Sequence, residues 1–175
     1  MDIKSLIRTI PDFPKPGILF RDITTLLKHA DGFRETIDRL SAAFADLHID
    51  KVAAIEARGF IIGASLAYRR SAGFVPIRKR GKLPFACFNQ DYALEYGADS
   101  LEIHIDALQS GDRVLLTDDL IATGGTAEAA AALIRKAGGI VVGCGFVIDL
   151  PDLGGRTRLE RLGLPSVALC QFEGH

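Results

Sequence analysis

Thirteen residues carry the densest chemistry of the chain: Val114-Leu-Leu-Thr-Asp-Asp-Leu-Ile-Ala-Thr-Gly-Gly-Thr126. Val114 to Leu116 read as a buried strand, and Asp118 and Asp119 follow at its carboxyl end. Ala122-Thr-Gly-Gly-Thr126 reads as a tight turn of small residues, with an Ala-rich helix beginning near Thr126. A turn opening into a helix offers free backbone N–H groups and a positive dipole end, which suits a phosphate. Gly124 and Gly125 let the backbone approach closely. Thr123 and Thr126 add hydroxyl donors. The two acids cannot help hold a bare phosphate, because like charges repel; they fit hydroxyls, or a Mg²⁺ ion. One ligand uses all of these groups: a ribose with a 5-phosphate, vicinal hydroxyls and a metal-bound group at C1. The plainer alternative is an ordinary strand–turn–helix joint with a solvated Asp pair.

Two more stretches could serve the same ligand. Lys51-Val-Ala-Ala-Ile55 reads as a buried parallel strand, and Glu56-Ala-Arg-Gly59 follows it into the next helix. The planar fork of Arg58 can hold a diphosphate; locally, a surface arginine paired with Glu56 explains it as well. Phe74-Val-Pro-Ile77 is a third strand, followed by Arg78-Lys-Arg-Gly-Lys82, four positive charges in five residues. Such a run is most often a solvated face or a nucleic-acid patch. Here it lies on the side of the other two joints, outside the carboxyl ends of strands where open α/β sheets bind ligands, which favours a substrate anion.

The elements that must position these groups follow from periodicity. Ile3, Leu6, Ile7 and Ile10 have helical spacing and predict a short opening helix. Pro11, Pro14 and Pro16 forbid regular structure until Gly17. Ile18-Leu-Phe20 then reads as a packed loop with a core phenylalanine. Asp31 is a plausible N-cap for a helix running to about His48, with Phe33, Ile37, Leu40, Phe44 and Leu47 on one face. Phe60 to Arg70 is the next helix. Pro84 to Gly97 suggests a loop or two-stranded flap, and long loops of this kind are often lids. Leu101, Ile103 and Ile105 alternate with polar residues in a half-exposed strand, leaving His104 at the surface. After the signature come a helix from Ala127 to Ala137, a strand within Ile140 to Leu150, a short helix from Gly155 to Leu162 and a last strand from Ser166 to Cys170.

At 175 residues the chain reads as one domain, residues 1–175, and its 48% hydrophobic content can build a sizeable core. A formal charge of −1 gives no whole-chain case for nucleic acid or membrane. The three cysteines form no C-x-x-C or Cys/His cluster, so zinc and disulfides are not expected. No apolar run approaches membrane-spanning length, and a cytoplasmic location is expected. Gly143-Cys-Gly145 lacks the third glycine of a dinucleotide fingerprint, and no Gly-Lys-Ser/Thr occurs.

The stretch Val114 to Thr126 resembles the 5-phosphoribosyl 1-diphosphate (PRPP) signature of type I phosphoribosyltransferases, departing only at Thr117, where an apolar residue is usual. Phe13-Pro-Lys-Pro-Gly-Ile-Leu-Phe-Arg-Asp-Ile-Thr24, Glu56-Ala-Arg-Gly-Phe60, Ile77-Arg-Lys-Arg-Gly-Lys-Leu-Pro84 and Leu94-Glu-Tyr-Gly97 resemble the adenine phosphoribosyltransferase family in order and spacing. Phe85 to Gln90 matches no motif of that family. The resemblance implies an α/β fold with a central, mostly parallel twisted sheet flanked by helices. It adds a small hood that includes about residues 1–30 and a flexible flap at about 80–100. It implies transfer of phosphoribose from PRPP to adenine, giving AMP and diphosphate, with Mg²⁺ bound mainly through the diphosphate, and a homodimer.

By the same resemblance, Phe20 stacks on adenine while the backbone around Leu19 and Arg21 bonds its edge. Arg58, Arg78, Lys79 and Lys82 grip the diphosphate, Arg78 across a dimer interface, and a non-proline cis peptide joins Glu56 to Ala57. Asp118 and Asp119 bind the ribose hydroxyls, and Ala122, Thr123, Gly124, Gly125 and Thr126 cradle the 5-phosphate. Glu95 and Tyr96 close over the reacting atoms, Glu95 as base or proton relay. Another purine such as hypoxanthine or xanthine, or a non-catalytic PRPP sensor, stays open; the sensor lacks the DNA-binding segment it would need.

Overall fold

The computed structural model describes residues 1–94 and 96–174. Its strands are β1 (Arg8–Pro11), β2 (Leu19–Asp22), β3 (Lys51–Ile55), β4 (Gly73–Lys79), β5 (Cys87–Ala93), β6 (Ala98–His104), β7 (Arg113–Ile121), β8 (Ile140–Asp149) and β9 (Ser166–Gln171). Its helices are α1 (Thr24–Leu27), α2 (Ala30–Ala43), α3 (Arg58–Arg70), α4 (Gly125–Lys136) and α5 (Gly155–Arg161).

Seven strands form one sheet in the order β5-β6-β4-β3-β7-β8-β9, and β1 and β2 form a separate ribbon. From β4 through β9 the neighbours are parallel; β6 runs against β4, and β5 against β6. The central strands are buried on both faces, which is why they read as unbroken apolar runs. Val114 and Leu116 join the cluster under α4 and α5, whereas Leu115 points the other way, to the cluster under α2 and α3. The expected mostly parallel sheet flanked by helices is the fold found.

From β3 the chain passes through α3 to β4 on one side. It later returns to β7 on the other side of β3. Connections leaving the carboxyl ends of β3 and β7 therefore diverge, and a crevice opens between them.

Five expectations need correction. The opening helix is a single 3-10 turn, Ile3–Leu6, and Ile10 lies in β1 opposite Phe20. Pairing with β2 overrides the helical spacing, and Ile18-Leu-Phe20 is accordingly half strand rather than loop. Helix α2 is capped by His29, whose Nδ1 accepts from the Gly32 N–H at 3.0 Å, not by Asp31. It stops at Ala43, because Arg70 donates to the carbonyls of Ser41, Phe44 and Leu47 at 2.8, 3.0 and 2.8 Å and satisfies a helix end that local sequence would have continued. Strand β7 does not stop at Leu116 but runs on to Ile121, held by β8 as far as Asp149, so the acid pair lies within it. Of the two alternatives expected after Pro84, the structure has the two-stranded one: β5 and β6 form a ribbon joined to the edge of the main sheet through β4.

Candidate active site

A cleft of about 400 Å³ opens at the carboxyl ends of β3 and β7. Glu56 enters it from the turn after β3, Arg58 from the start of α3 and Lys79 from the end of β4. Asp118 to Ala127 form its long wall, and Tyr92, Leu94 and Asp99 reach in from the ribbon.

The two acids differ in environment. Asp119 is 4% exposed and accepts from Arg58 Nε at 2.5 Å. Its own N–H donates to Asp118 Oδ1 at 2.8 Å. Burial pushes the Asp118 carboxyl well above its ordinary range, and the charge of Asp119 pushes the same way; Arg58 opposes both. Gly59, in the first turn of α3, is what lets Asp118 sit there, since a Cβ would fall 2.6 Å from Asp118 Oδ1. Thr117, the departure from the signature, is fully buried, and its hydroxyl has no partner among the described residues.

Arg58, Arg78, Lys79 and Lys82 are each engaged by a carboxylate. Glu56, in the turn after β3, accepts from Lys82 Nζ and from the backbone N–H of Lys79, both at 2.7 Å, and faces Arg78 Nε at 3.4 Å. Burial would raise its carboxyl, but these donors and charges hold it below the ordinary value. Lys79 Nζ lies 3.4 Å from Asp99. The local alternative for Arg58, a pair with Glu56, is therefore not formed: Glu56 serves the basic run and Arg58 turns to Asp119. The peptide between Glu56 and Ala57 is cis.

At the other end of the cleft, Gly124 has a φ of +86° and α4 begins at Gly125, so Ala122 to Thr126 is the expected turn into a helix. The turn is backed by the start of α5. The Gly155 N–H donates to Ala122 O at 3.0 Å, and a Cβ on Gly155 would fall 2.5 Å from that oxygen.

The aromatic expectation joins the cleft through Arg58, whose guanidinium sits 5.2 Å from the Phe20 ring centroid. Phe13 packs edge-on against Phe20 at 5.2 Å. Leu19 and Arg21 flank Phe20 on β2, whose one edge pairs with β1 and whose other edge belongs to neither sheet among the described residues. The Arg21 side chain is buried away from the cleft. Tyr96 is 83% exposed and touches none of this, and Glu95 lies outside the described residues. Among the described residues no three His, Cys, Asp or Glu side chains cluster as metal ligands.

Sequence reasoning missed Tyr92 and Asp99. They are directly opposite in the β5–β6 register, and the Tyr92 hydroxyl lies 3.4 Å from Asp99 Oδ2. Burial, and then the charge of Asp99, push the Tyr92 phenol up. The available signal was the hairpin: Tyr92 precedes Leu94-Glu-Tyr-Gly97 by one strand period.

An acid pair on one central strand with a Gly/Thr turn after it, facing an arginine after its parallel neighbour, is the pattern of the phosphoribosyltransferase class. The phosphoribosyl transferase domain family matches residues 22–159. The similarity runs further than the class. A protein of Nitrosospira multiformis named adenine phosphoribosyltransferase is 63% identical over 175 residues, covering all of both chains. One of the same name from Methylobacillus flagellatus is 62% identical over 99% of this chain and 98% of its own. The crystal structure of adenine phosphoribosyltransferase from Rhodothermus marinus superposes with a TM-score of 0.93 at 52% identity, covering 97% and 96% of the two chains. The enzyme from Saccharomyces cerevisiae, complexed with an imino-altritol bisphosphate and adenine, superposes at 0.90 with 38% identity, covering 97% of each chain. The chain belongs to the adenine phosphoribosyltransferase family.

Proposed function

We infer that the chain transfers the 5-phosphoribosyl group of PRPP to adenine, giving AMP and diphosphate. The observation that carries this reading is the convergence at one switch point of a phosphate turn, an acid pair and an arginine that also borders an aromatic ring. In the reaction adenine N9 bonds to C1 of the ribose, the C1–oxygen bond to diphosphate breaks, and the N9 proton leaves. The reading assigns the 5-phosphate to Ala122 to Thr126, the ribose hydroxyls to Asp118 and Asp119, and the diphosphate to Arg58, Arg78, Lys79 and Lys82. It assigns adenine to Phe20 with the backbone of Leu19 and Arg21, and flap closure and proton transfer to Tyr96 and Glu95. Holding the reactants in one cleft supplies proximity, and cations fixed near the leaving group stabilise its growing charge.

The charge pattern supports a role for Mg²⁺. The four cations Arg58, Arg78, Lys79 and Lys82 face the three carboxylates of Asp119, Glu56 and Asp99, Glu56 serving two of them, so they leave only one positive charge over for a ligand with three phosphate groups. Bound Mg²⁺ supplies neutralisation of the diphosphate, and such an ion is held through substrate phosphates and one or two carboxylates rather than a protein cage. Asp118 and Asp119, both in the cleft wall, would be the carboxylates to complete its shell.

Exposed Tyr68 (89%) and Ile61 (44%) on α3, with the family resemblance, support a homodimer; sedimentation at the mass of one chain would overturn it. Three free cysteines suit the reducing cytoplasm. No helix of the described residues is long and apolar enough to cross a membrane. The central test mixes the protein with adenine, PRPP and Mg²⁺, with hypoxanthine and guanine in parallel, and detects products by mass. AMP alone is expected. A product from another base would overturn the base assignment, and no product with PRPP bound would favour a sensor.

A further inference from the structure

The segment after β9 is tied to the hood by contacts that the site does not explain. The Phe172 N–H donates to Asp149 O at 3.1 Å, and the Gly174 N–H to Asp152 Oδ2 at 2.8 Å, so both ends of the segment are fixed to the end of β8 and the turn after it. The Phe172 ring carries two cations, the Arg21 guanidinium at 4.4 Å and the Lys4 ammonium at 4.8 Å from its centroid. Arg21 is itself 9% exposed. Its Nη1 donates to Thr9 Oγ1 at 2.6 Å, and its Nη2 to Glu173 O at 3.0 Å. Thr9 is the residue on β1 directly opposite Arg21 on β2.

A two-stranded ribbon is barely stable alone. This one holds Phe20 against Arg58, which lines the cleft, one residue from Arg21. Arg21 therefore joins three things at once: the partner strand, the segment 172–174, and β2 itself. A planar fork that bonds in two directions while its face rests on an aromatic ring has little freedom to rotate.

We propose that Phe172 is a positioning residue for base recognition: through Arg21 it clamps β2, and with it Phe20 and the backbone of Leu19 and Arg21, at the spacing that receives a planar purine. This rests on the assignment of adenine to Phe20.

Steady-state kinetics of Phe172→Ala, Thr9→Val and Phe20→Ala separate the two claims. Phe172→Ala should raise KM for adenine about 3- to 30-fold, the range of a desolvated cation–aromatic contact. KM for PRPP and kcat should stay within about twofold of wild type, and Phe172→Tyr should restore the adenine KM. Thr9→Val, which removes one Arg21 acceptor without touching the segment, should move the adenine KM in the same direction by a smaller factor. An unchanged adenine KM in both Phe172→Ala and Thr9→Val, with Phe20→Ala raising it, overturns the clamp while leaving the adenine site in place. An equal rise in both substrates' KM overturns it too, since general loosening would then be the cause. No effect of Phe20→Ala on adenine would overturn the assignment on which the clamp rests.

Discussion

Arg58 Nε donates to the carboxylate of Asp119 at 2.5 Å, across 61 residues of sequence, while the Asp119 side chain is only 6% exposed. Arg58 sits at the start of α3 and Asp119 near the end of β7, on adjacent parallel strands' carboxyl ends. The pair closes the switch point from both sides. It also places the guanidinium beside Phe20, so one side chain borders the acid pair and the aromatic ring together.

Removing Arg58 should therefore cost more than a ligand contact. Loss of one charged phosphate contact is worth ~1.5–3 kcal/mol, so Arg58→Ala should lower kcat/KM for PRPP about 10- to 100-fold. It also leaves Asp119 buried without its partner, so Tm should fall. Adding Asp119→Asn should recover Tm without recovering kcat/KM. A double variant no more stable than Arg58→Ala would show that the pair does not bear on stability.

Asp118 gives a pH prediction. Its folded pKa is raised, so ionising it opposes folding. That opposition is absent below the ordinary value of 3.8, grows as pH rises above it, and is complete once pH passes the folded pKa. Asp118→Asn removes it while keeping an oxygen to accept the Asp119 N–H. The variant should have the higher Tm at pH 8, by about 2–4 °C for each kcal/mol relieved, and the gap should close as pH falls toward 4. Its kcat/KM for PRPP should fall. Tm curves that stay parallel across that range would mean Asp118 ionises without cost.

Gly59→Ala would ordinarily favour a helix by ~0.5–1 kcal/mol. Here the new Cβ would lie 2.6 Å from Asp118 Oδ1 and 3.4 Å from its Cα, so Asp118 must turn away. The expected result is a kcat/KM for PRPP lowered by about tenfold or more, the scale of a misplaced binding group, with no large change in far-UV circular dichroism. Wild-type kinetics would show that Asp118 has room the structure does not give it.

Glu56 occupies Lys82 and the Lys79 backbone, the groups assigned to the diphosphate. Glu56→Gln removes the negative charge that offsets Lys82 and Arg78, and inorganic diphosphate should bind several-fold tighter in calorimetry at low salt, with a steeper loss of affinity as salt rises. Weaker binding would mean that Glu56 instead holds the cations in place for the ligand.

The sequence by itself determined the local pieces. Val114 to Thr126 dictates a strand, two acids and a tight Gly/Thr turn, because strand burial, the left-handed Gly124 and the helix start at Gly125 are decided within a few residues. Lys51 to Ile55 emerged with its observed bounds for the same reason, and parallel burial made both strands legible as apolar runs. Tertiary structure decided the partners. Glu56 is two residues from Arg58, yet it pairs with Lys82, 26 residues away, because β4 brings the basic run beside it. Arg70 ends α2 from another helix, β2 turns a helical spacing at Ile10 into a strand, and β8 extends β7 past the acids. Arg21 meets Glu173 across 152 residues. Propensity and periodicity act over one or two turns of chain, whereas charge pairing and strand extension depend on which distant element the sheet order sets alongside.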